Sequence, residues 1–139
     1  MLLSSLLRET AHLKTVHFKD EEVTGVSIDS KHVLQGDLFV CFAGGEHDGH
    51  EFAGEALAAG ASVLVAEREL PFPVPQVIVE DGRAASAAFS AAFYGHPEKR
   101  LKIIGVTGTN GKTTTAHMLA SIFAAAGKTC GNIGTLGIR

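Results

Sequence analysis

Short apolar runs bounded by turn residues alternate with stretches of helical period along this chain. Residues 23–28 and 37–42 read as short strands, with Gly36-Asp37 punctuating the gap between them. Residues 50–60 carry Phe52, Ala56 and Leu57 on one helical face, and Gly60 is placed to stop that helix. Residues 62–66 form a strand of buried type. Pro71, Pro73 and Pro75 predict an exposed loop, and Val77-Ile78-Val79 a further strand. From 83 to 94, Ala85, Ala88, Phe89, Ala92 and Phe93 fall at the spacing of an amphipathic helix. Gly95-His96-Pro97 ends it, and Glu98-Lys99-Arg100 reads as a solvated hinge, so a boundary is expected near 96–100. Residues 101–106 then predict a strand and 114–126 a helix whose Met118, Leu119, Ile122, Phe123 and Ala126 face inward. Gly127 caps that helix, and a last strand is expected over 129–133. Strand, loop, helix, strand is a βαβ unit and implies a parallel sheet.

Composition narrows the class. The 139 residues are 45% hydrophobic and 19% charged, enough apolar content to fill a core. A net charge of −3 with no basic run argues against nucleic acid as a partner. No apolar run approaches the ~20 residues of a membrane helix, so no membrane partner is expected. The amino terminus lacks the positive flank of a signal peptide and reads as an amphipathic helix. Cys41 and Cys130 lie far apart, have no metal-ligand spacing, and are expected to be buried, reduced thiols. His47 and His50 have no carboxylate-rich partner set in the sequence, so solvated or helix-capping roles are expected for them.

The chemistry concentrates in Thr107-Gly108-Thr109-Asn110-Gly111-Lys112-Thr113-Thr114. Phosphates need several N–H donors at close range, and glycine lets the backbone curl around them without Cβ clashes. Gly108 and Gly111 supply that freedom, and the following helix presents unpaired amides and its positive dipole end. Lys112 is placed to reach the β- and γ-phosphates, and the Thr113 hydroxyl to hold Mg²⁺. The general phosphate-loop pattern asks for glycine five positions before Gly111. Val106 stands there, and the upstream glycine is Gly105. An apolar stretch before the loop and a helical one after it support the reading, with ATP as the expected nucleotide.

The wording Thr-Gly-Thr-Asn-Gly-Lys-Thr at 107–113 resembles the ATP loop of the Mur ligases and their folylpolyglutamate synthase relatives. Asp29-Ser30-Lys31, Gly36-Asp37-Leu38-Phe39-Val40, Asp48-Gly49-His50-Glu51-Phe52 and Gly60-Ala61 are similar to the amino-terminal domain shared by MurE and MurF. Phe93-Tyr94-Gly95-His96-Pro97 and Gly131-Asn132-Ile133-Gly134-Thr135-Leu136-Gly137 favour the MurE branch. Where the family usually has Asp-Ser-Arg this chain has Asp-Ser-Lys, and Lys31 keeps the charge without the planar fork. The resemblance implies an α/β fold in two parts. Residues 1–98 would form a small UDP-binding domain with a mixed sheet, and residues 99–139 the first βαβ unit of an ATPase domain. It implies that Gly108, Thr109, Asn110, Gly111, Lys112, Thr113 and Thr114 bind ATP and that Thr113 meets Mg²⁺. Ile28, Ser30, Gly45, Glu46 and His47 would line the pocket for the UDP end of a UDP-N-acetylmuramoyl-peptide. From the residues alone, Ser30 can donate to a phosphate or uracil oxygen. Asp29-Ser30 can equally start a turn and Asp48-Gly49 cap a helix.

The activity implied is a cytoplasmic, ATP-dependent amide ligation of peptidoglycan precursor synthesis. A D-glutamyl carboxylate becomes an acyl phosphate, and the amine of meso-diaminopimelate or L-lysine displaces the phosphate. MurF-type chemistry and a non-catalytic UDP-sugar or ATP-binding module remain the alternatives. The family's metal-binding Glu and His, its carbamylated Lys and its amino-acid domain would lie beyond Arg139, so no catalytic residue is expected within this sequence. With its strands unpaired, the segment 101–139 is expected to be poorly ordered, docked on the first domain, or paired with another chain. The isolated chain is expected to make neither acyl phosphate nor tripeptide, which an assay for both products on the pure polypeptide checks.

Overall fold

The computed structural model describes residues 1–45 and 47–138. The chain divides into two compact units, Met1–Leu101 and Lys102–Arg139.

The first unit is built on a five-stranded mixed sheet. Its strands are β1 (Lys14–Val16), β2 (Val26–Ser27), β3 (Leu38–Val40), β4 (Val63–Ala66) and β5 (Gln76–Ile78), in the order β1-β5-β4-β3-β2. Strands β2 to β5 run parallel, and β1 closes the far edge antiparallel to β5. A parallel strand buried on both faces needs apolar residues at every position, with successive side chains sent to opposite sides. The central strands meet this demand. Leu38, Val40, Val63, Val65, Val77 and Val79 point to one face and pack with Leu3, Leu6, Ala85, Phe89 and Ala92. Phe39, Cys41, Leu64 and Ala66 point to the other and pack with Ala53, Ala56 and Ala61. Helices α1 (Leu3–Glu9) and α3 (Gly82–Phe93) therefore cover the first face, and α2 (Ala53–Ala59) the second.

Local chemistry sets the helix ends. The Asp81 side chain accepts the Ala84 N–H at 2.9 Å and starts α3. Gly60, at φ +121°, ends α2 by donating to the Ala56 and Leu57 carbonyls. The stripe that α3 buries is narrower than its apolar pattern: Gly82, Ala85, Phe89 and Ala92 are buried, Phe93 is half-buried and Ala88 is exposed. Phe52, expected on the inner face of one helix over 50–60, is exposed. A 3₁₀ turn over Gly49–Phe52 precedes α2 and rotates that ring out of register with Ala53 and Ala56.

The proline-rich loop also departs from expectation. Pro71 and Pro73 are exposed, but Pro75 is buried, and its carbonyl accepts the Leu64 N–H at 3.0 Å. The buried Gln76 side chain pulls the loop down. It accepts from Leu70 N–H at 2.9 Å and donates to the Leu70 and Phe72 carbonyls at 2.8 and 2.9 Å. Residues 76–78 pair as β5, one position earlier than the sequence pattern places that strand.

The second unit holds helix α4 (Lys112–Ala125) and an antiparallel hairpin of β6 (Ile133–Gly134) and β7 (Gly137–Ile138). Gly127, at φ +71°, terminates α4 in a Schellman arrangement. Its N–H meets the Ala124 carbonyl at 3.0 Å, and Lys128 N–H meets Phe123 at 2.9 Å. Residues 101–106, expected as a strand, pair with no other segment among the described residues. The strand expected over 129–133 appears only at its end, in the hairpin. The inward face expected of α4 is not buried: Met118 and Ile122 are each 61% exposed, and Leu119 and Phe123 are half-buried. A strand exists only through its neighbours' hydrogen bonds, and among the described residues this segment has no neighbour to pair with.

Replacing Phe89, fully buried between α3 and the sheet, by Ala is expected to cost the first unit about 3–5 kcal/mol. Ala88→Ser, one position away and solvent-facing, is expected to change stability by less than about 0.5 kcal/mol. Urea unfolding followed by circular dichroism separates the two.

Candidate functional site

Two places gather polar groups. The first is the carboxyl edge of the parallel sheet, where open α/β sheets commonly bind ligands. Pairing of Val26 with Leu38 and of Ser27 with Phe39 puts the segments after β2 and β3 on this same edge. Ile28, just past β2, is 58% exposed. Ser30 begins a 3₁₀ turn over Ser30–His32, which the Asp29 side chain caps by accepting the Lys31 N–H at 3.0 Å. The Ser30 hydroxyl is buried and donates to Glu55 Oε2 of α2 at 3.0 Å. Its proton is therefore committed, and what it can offer outward is its lone pairs. That changes the expected donor role.

The segment after β3 folds back on itself. Gly44 N–H donates to the His47 carbonyl at 2.9 Å, Ala43 bridges Asp48, and Gly49 N–H returns to the Phe42 carbonyl at 3.0 Å. Gly45 is exposed with open space where a Cβ would be, and His47 is exposed, edge-on to the Phe52 ring at 6.4 Å. Glu46 lies outside the described residues. Asp48 anchors the base of this loop. It accepts Arg68 Nη2 at 2.7 Å, the His50 N–H at 3.0 Å and His50 Nδ1 at 2.5 Å. The Arg68 guanidinium first, then the His50 backbone and ring, hold its carboxyl well below the usual carboxylate range.

His50 departs from the solvated or capping role expected of it. It is buried, and its Nε2 accepts the Glu67 N–H at 3.0 Å. Cys41 is buried as expected, and burial, helped by the Asp48 charge, pushes its thiol up to about 12. Cys130, expected to be buried, is exposed. Arg83 stacks over Phe42 at 5.1 Å. Neither Arg68 nor Arg83 stands out in the sequence, because nothing local says that the end of β4 and the start of α3 meet the loop after β3.

The second place is the glycine loop before α4. Gly108 takes φ +141° and Gly111, at φ +77°, sits in the left-handed region as the helix begins. The first α4 backbone bond runs from Thr115 N–H to the Gly111 carbonyl at 2.9 Å. The N–H groups of Lys112, Thr113 and Thr114 come before it and have no helical acceptor. No side chain caps this end and no acidic residue occupies its first turn. The Lys112 ammonium folds back across the loop to the Gly108 carbonyl. Thr109, Asn110, Gly111, Lys112, Thr113, Thr114 and Thr135 line a cavity of about 310 Å³. Thr135 comes from the β6–β7 turn, and its place beside the loop was not legible in the sequence. Free amides, a helix N-terminus and one long-stemmed cation around a cavity suit a phosphate chain. The side-chain oxygens lining this cavity are those of Thr109, Asn110, Thr113, Thr114 and Thr135, with no carboxylate among them. No Asp or Glu follows Lys112 in the sequence, and no cluster of three metal-ligating side chains exists among the described residues.

The profile of the Mur ligase family catalytic domain matches residues 22–126. This chain belongs to the Mur ligase family. Among its Mur ligase relatives, the UDP-N-acetylmuramoyl-L-alanyl-D-glutamate–2,6-diaminopimelate ligase of Bacillus velezensis is 48% identical over 122 residues, covering 88% of this chain and 25% of the relative. The ligase of the same name from Geobacillus kaustophilus is 45% identical over 139 residues, 100% of this chain and 28% of its own length. The crystal structure of the MurF ligase from Thermotoga maritima in complex with ADP superposes with a TM-score of 0.57 at 32% identity, over 78% of this chain and 25% of that one. The chain spans about a quarter of the length of the curated relatives it matches. Among the described residues no helix is long and apolar enough to cross a membrane.

Asp48 yields a signed expectation. Its folded carboxyl ionises below its ordinary value of 3.8, so its contribution to stability is complete above that value. The contribution is lost as pH falls below 3.8 toward the lowered folded value. Asp48→Asn is expected to flatten the stability-against-pH curve of the first unit on the acid side, measured by thermal melts across that range.

Proposed function

We propose that this Mur ligase chain forms the nucleotide-handling front of an amide-forming ligase of the MurE branch. The carrying observation is the glycine loop, with three unpaired helical amides and Lys112 around one cavity. In this reading Gly108, Thr109, Asn110, Gly111, Lys112, Thr113 and Thr114 hold the phosphates of ATP. Residues 1–98 form the domain that takes the UDP end of UDP-N-acetylmuramoyl-L-alanyl-D-glutamate, with Ile28, Ser30, Gly45, Glu46 and His47 at its mouth. Residues 99–139 open the ATP-binding domain. The ligation takes place in the cytoplasm.

The chemistry follows from charge. A carboxylate and a triphosphate repel each other, so the loop must neutralise the phosphates before the D-glutamyl oxygen can approach the γ-phosphorus. The amides of Lys112, Thr113 and Thr114 donate to phosphate oxygens, and the Lys112 ammonium leaves Gly108 to follow the transferring group. When bound, Mg²⁺ would supply further charge neutralisation, with Thr113 as one of its ligands. The incoming amine then attacks the acyl carbon, the bond from that carbon to the phosphate oxygen breaks, and inorganic phosphate leaves as the amide forms. The relatives at 45% and 48% identity carry 2,6-diaminopimelate in their names, and that diamino acid is the one proposed here.

Calorimetric titration of the chain with UDP and with ATP tests the reading. Both are expected to bind. Lys112→Ala is expected to weaken ATP by about 10- to 100-fold, the scale of one charge-assisted contact, and to leave UDP unchanged. Equal ATP affinity in both chains, or UDP binding no tighter than that of unrelated nucleoside diphosphates, would falsify it.

A further inference from the structure

His50 is a buried titratable side chain for which the ligation scheme has no use. Its two ring nitrogens do different things. Nε2 can accept the Glu67 N–H only as a bare nitrogen, so the ring carries its proton on Nδ1, which donates to Asp48. One imidazole thus joins the end of the loop that follows β3 to the first residue after β4. The junction extends in two directions. Glu67 Oε1 accepts the Gly82 N–H at the start of α3 at 2.9 Å, and Asp48 also holds Arg68. A Cβ on Gly82 would come within 2.5 Å of the Cys41 carbonyl, so the backbones of these segments are already in close approach. Three crossings of the sheet edge are therefore fastened around His50, while Gly45 and His47 beyond them are exposed, with His47 resting edge-on to Phe52.

We infer that His50 is a positioning residue, which by accepting the Glu67 N–H locks the loop after β3 onto the end of β4 and sets that loop's grip on the uridine nucleotide. The inference rests on the UDP reading proposed above. A glutamine carries its terminal amide to about the place of Nε2 and can still accept from Glu67. An asparagine reaches only to about the place of Nδ1 and keeps the Asp48 bond alone. A residue that merely fills space would not tell these two apart.

The test uses the whole chain, with UDP as the probe and calorimetry as the readout, at a temperature where thermal melts show every variant folded. His50→Ala and His50→Asn are expected to weaken UDP about tenfold or more, and His50→Gln to stay within about threefold of the unsubstituted chain. In chain carrying isotope-labelled histidine, the nitrogen spectrum is expected to show Nε2 of His50 without a proton. Gln failing as badly as Ala, Ala binding as well as His, or a protonated Nε2 overturns the proposal. UDP failing to bind the unsubstituted chain sinks the nucleotide reading first and this proposal with it.

Discussion

A parallel sheet has to be covered on both faces, because its strands alternate side chains and neither face can be left to water. Most of the first unit follows from this one requirement. The central strands are apolar on both faces, so two separate clusters of buried side chains form, one under α1 and α3 and one under α2. Covering helices must enter and leave at the sheet's ends. That collects the segments after β2, β3 and β4, and the start of α3, along one edge. The gathering of polar groups at that edge is a by-product of that routing. The second unit has no parallel sheet among its described residues, and the apolar side chains of Ile103, Ile104, Met118 and Ile122 are exposed.

The two sites handle polarity in opposite ways. At the sheet edge the polar groups are largely committed within the protein: Ser30 to Glu55, Asp48 to Arg68 and His50, His50 to Glu67. Such a site recognises through shape and a few remaining lone pairs, with little freedom to rearrange. At the glycine loop the backbone donors are left without helical acceptors, and the Lys112 ammonium is tethered to the Gly108 carbonyl. Unpaired donors are costly to bury and are tolerated here because they stand in solvent. They are suited to a ligand that brings many acceptors at once.

Several features could be read before folding. The backbone turn before α4 announced itself through Gly108 and Gly111, because both take positive φ values that suit glycine. Gly60 and Gly127 acted at the helix ends where their chemistry puts them. The ordered motifs also led to the Mur ligase family, which the profile match over residues 22–126 bears out. Reading failed where a partner elsewhere in the chain decides. Pro75 looks like loop but is drawn under beside Gln76 and Leu64. Phe52 looks like core but is turned out by a 3₁₀ turn. Residues 101–106 look like a strand and have no neighbour among the described residues.

Local spacing was enough to specify the alternation that makes a two-faced sheet, the helix ends, and the glycine loop with its lysine. These depend on contacts within a few residues, where spacing maps directly onto geometry. Three-dimensional packing was needed to bury His50 between Asp48 and Glu67, to direct the Ser30 proton to Glu55, and to bring Thr135 to the cavity beside the glycine loop. Each of these joins segments well separated along the chain, or ranks competing partners for one polar group. Hydrogen-bond partners are chosen across the whole fold, and a local pattern carries no record of which distant donor arrives.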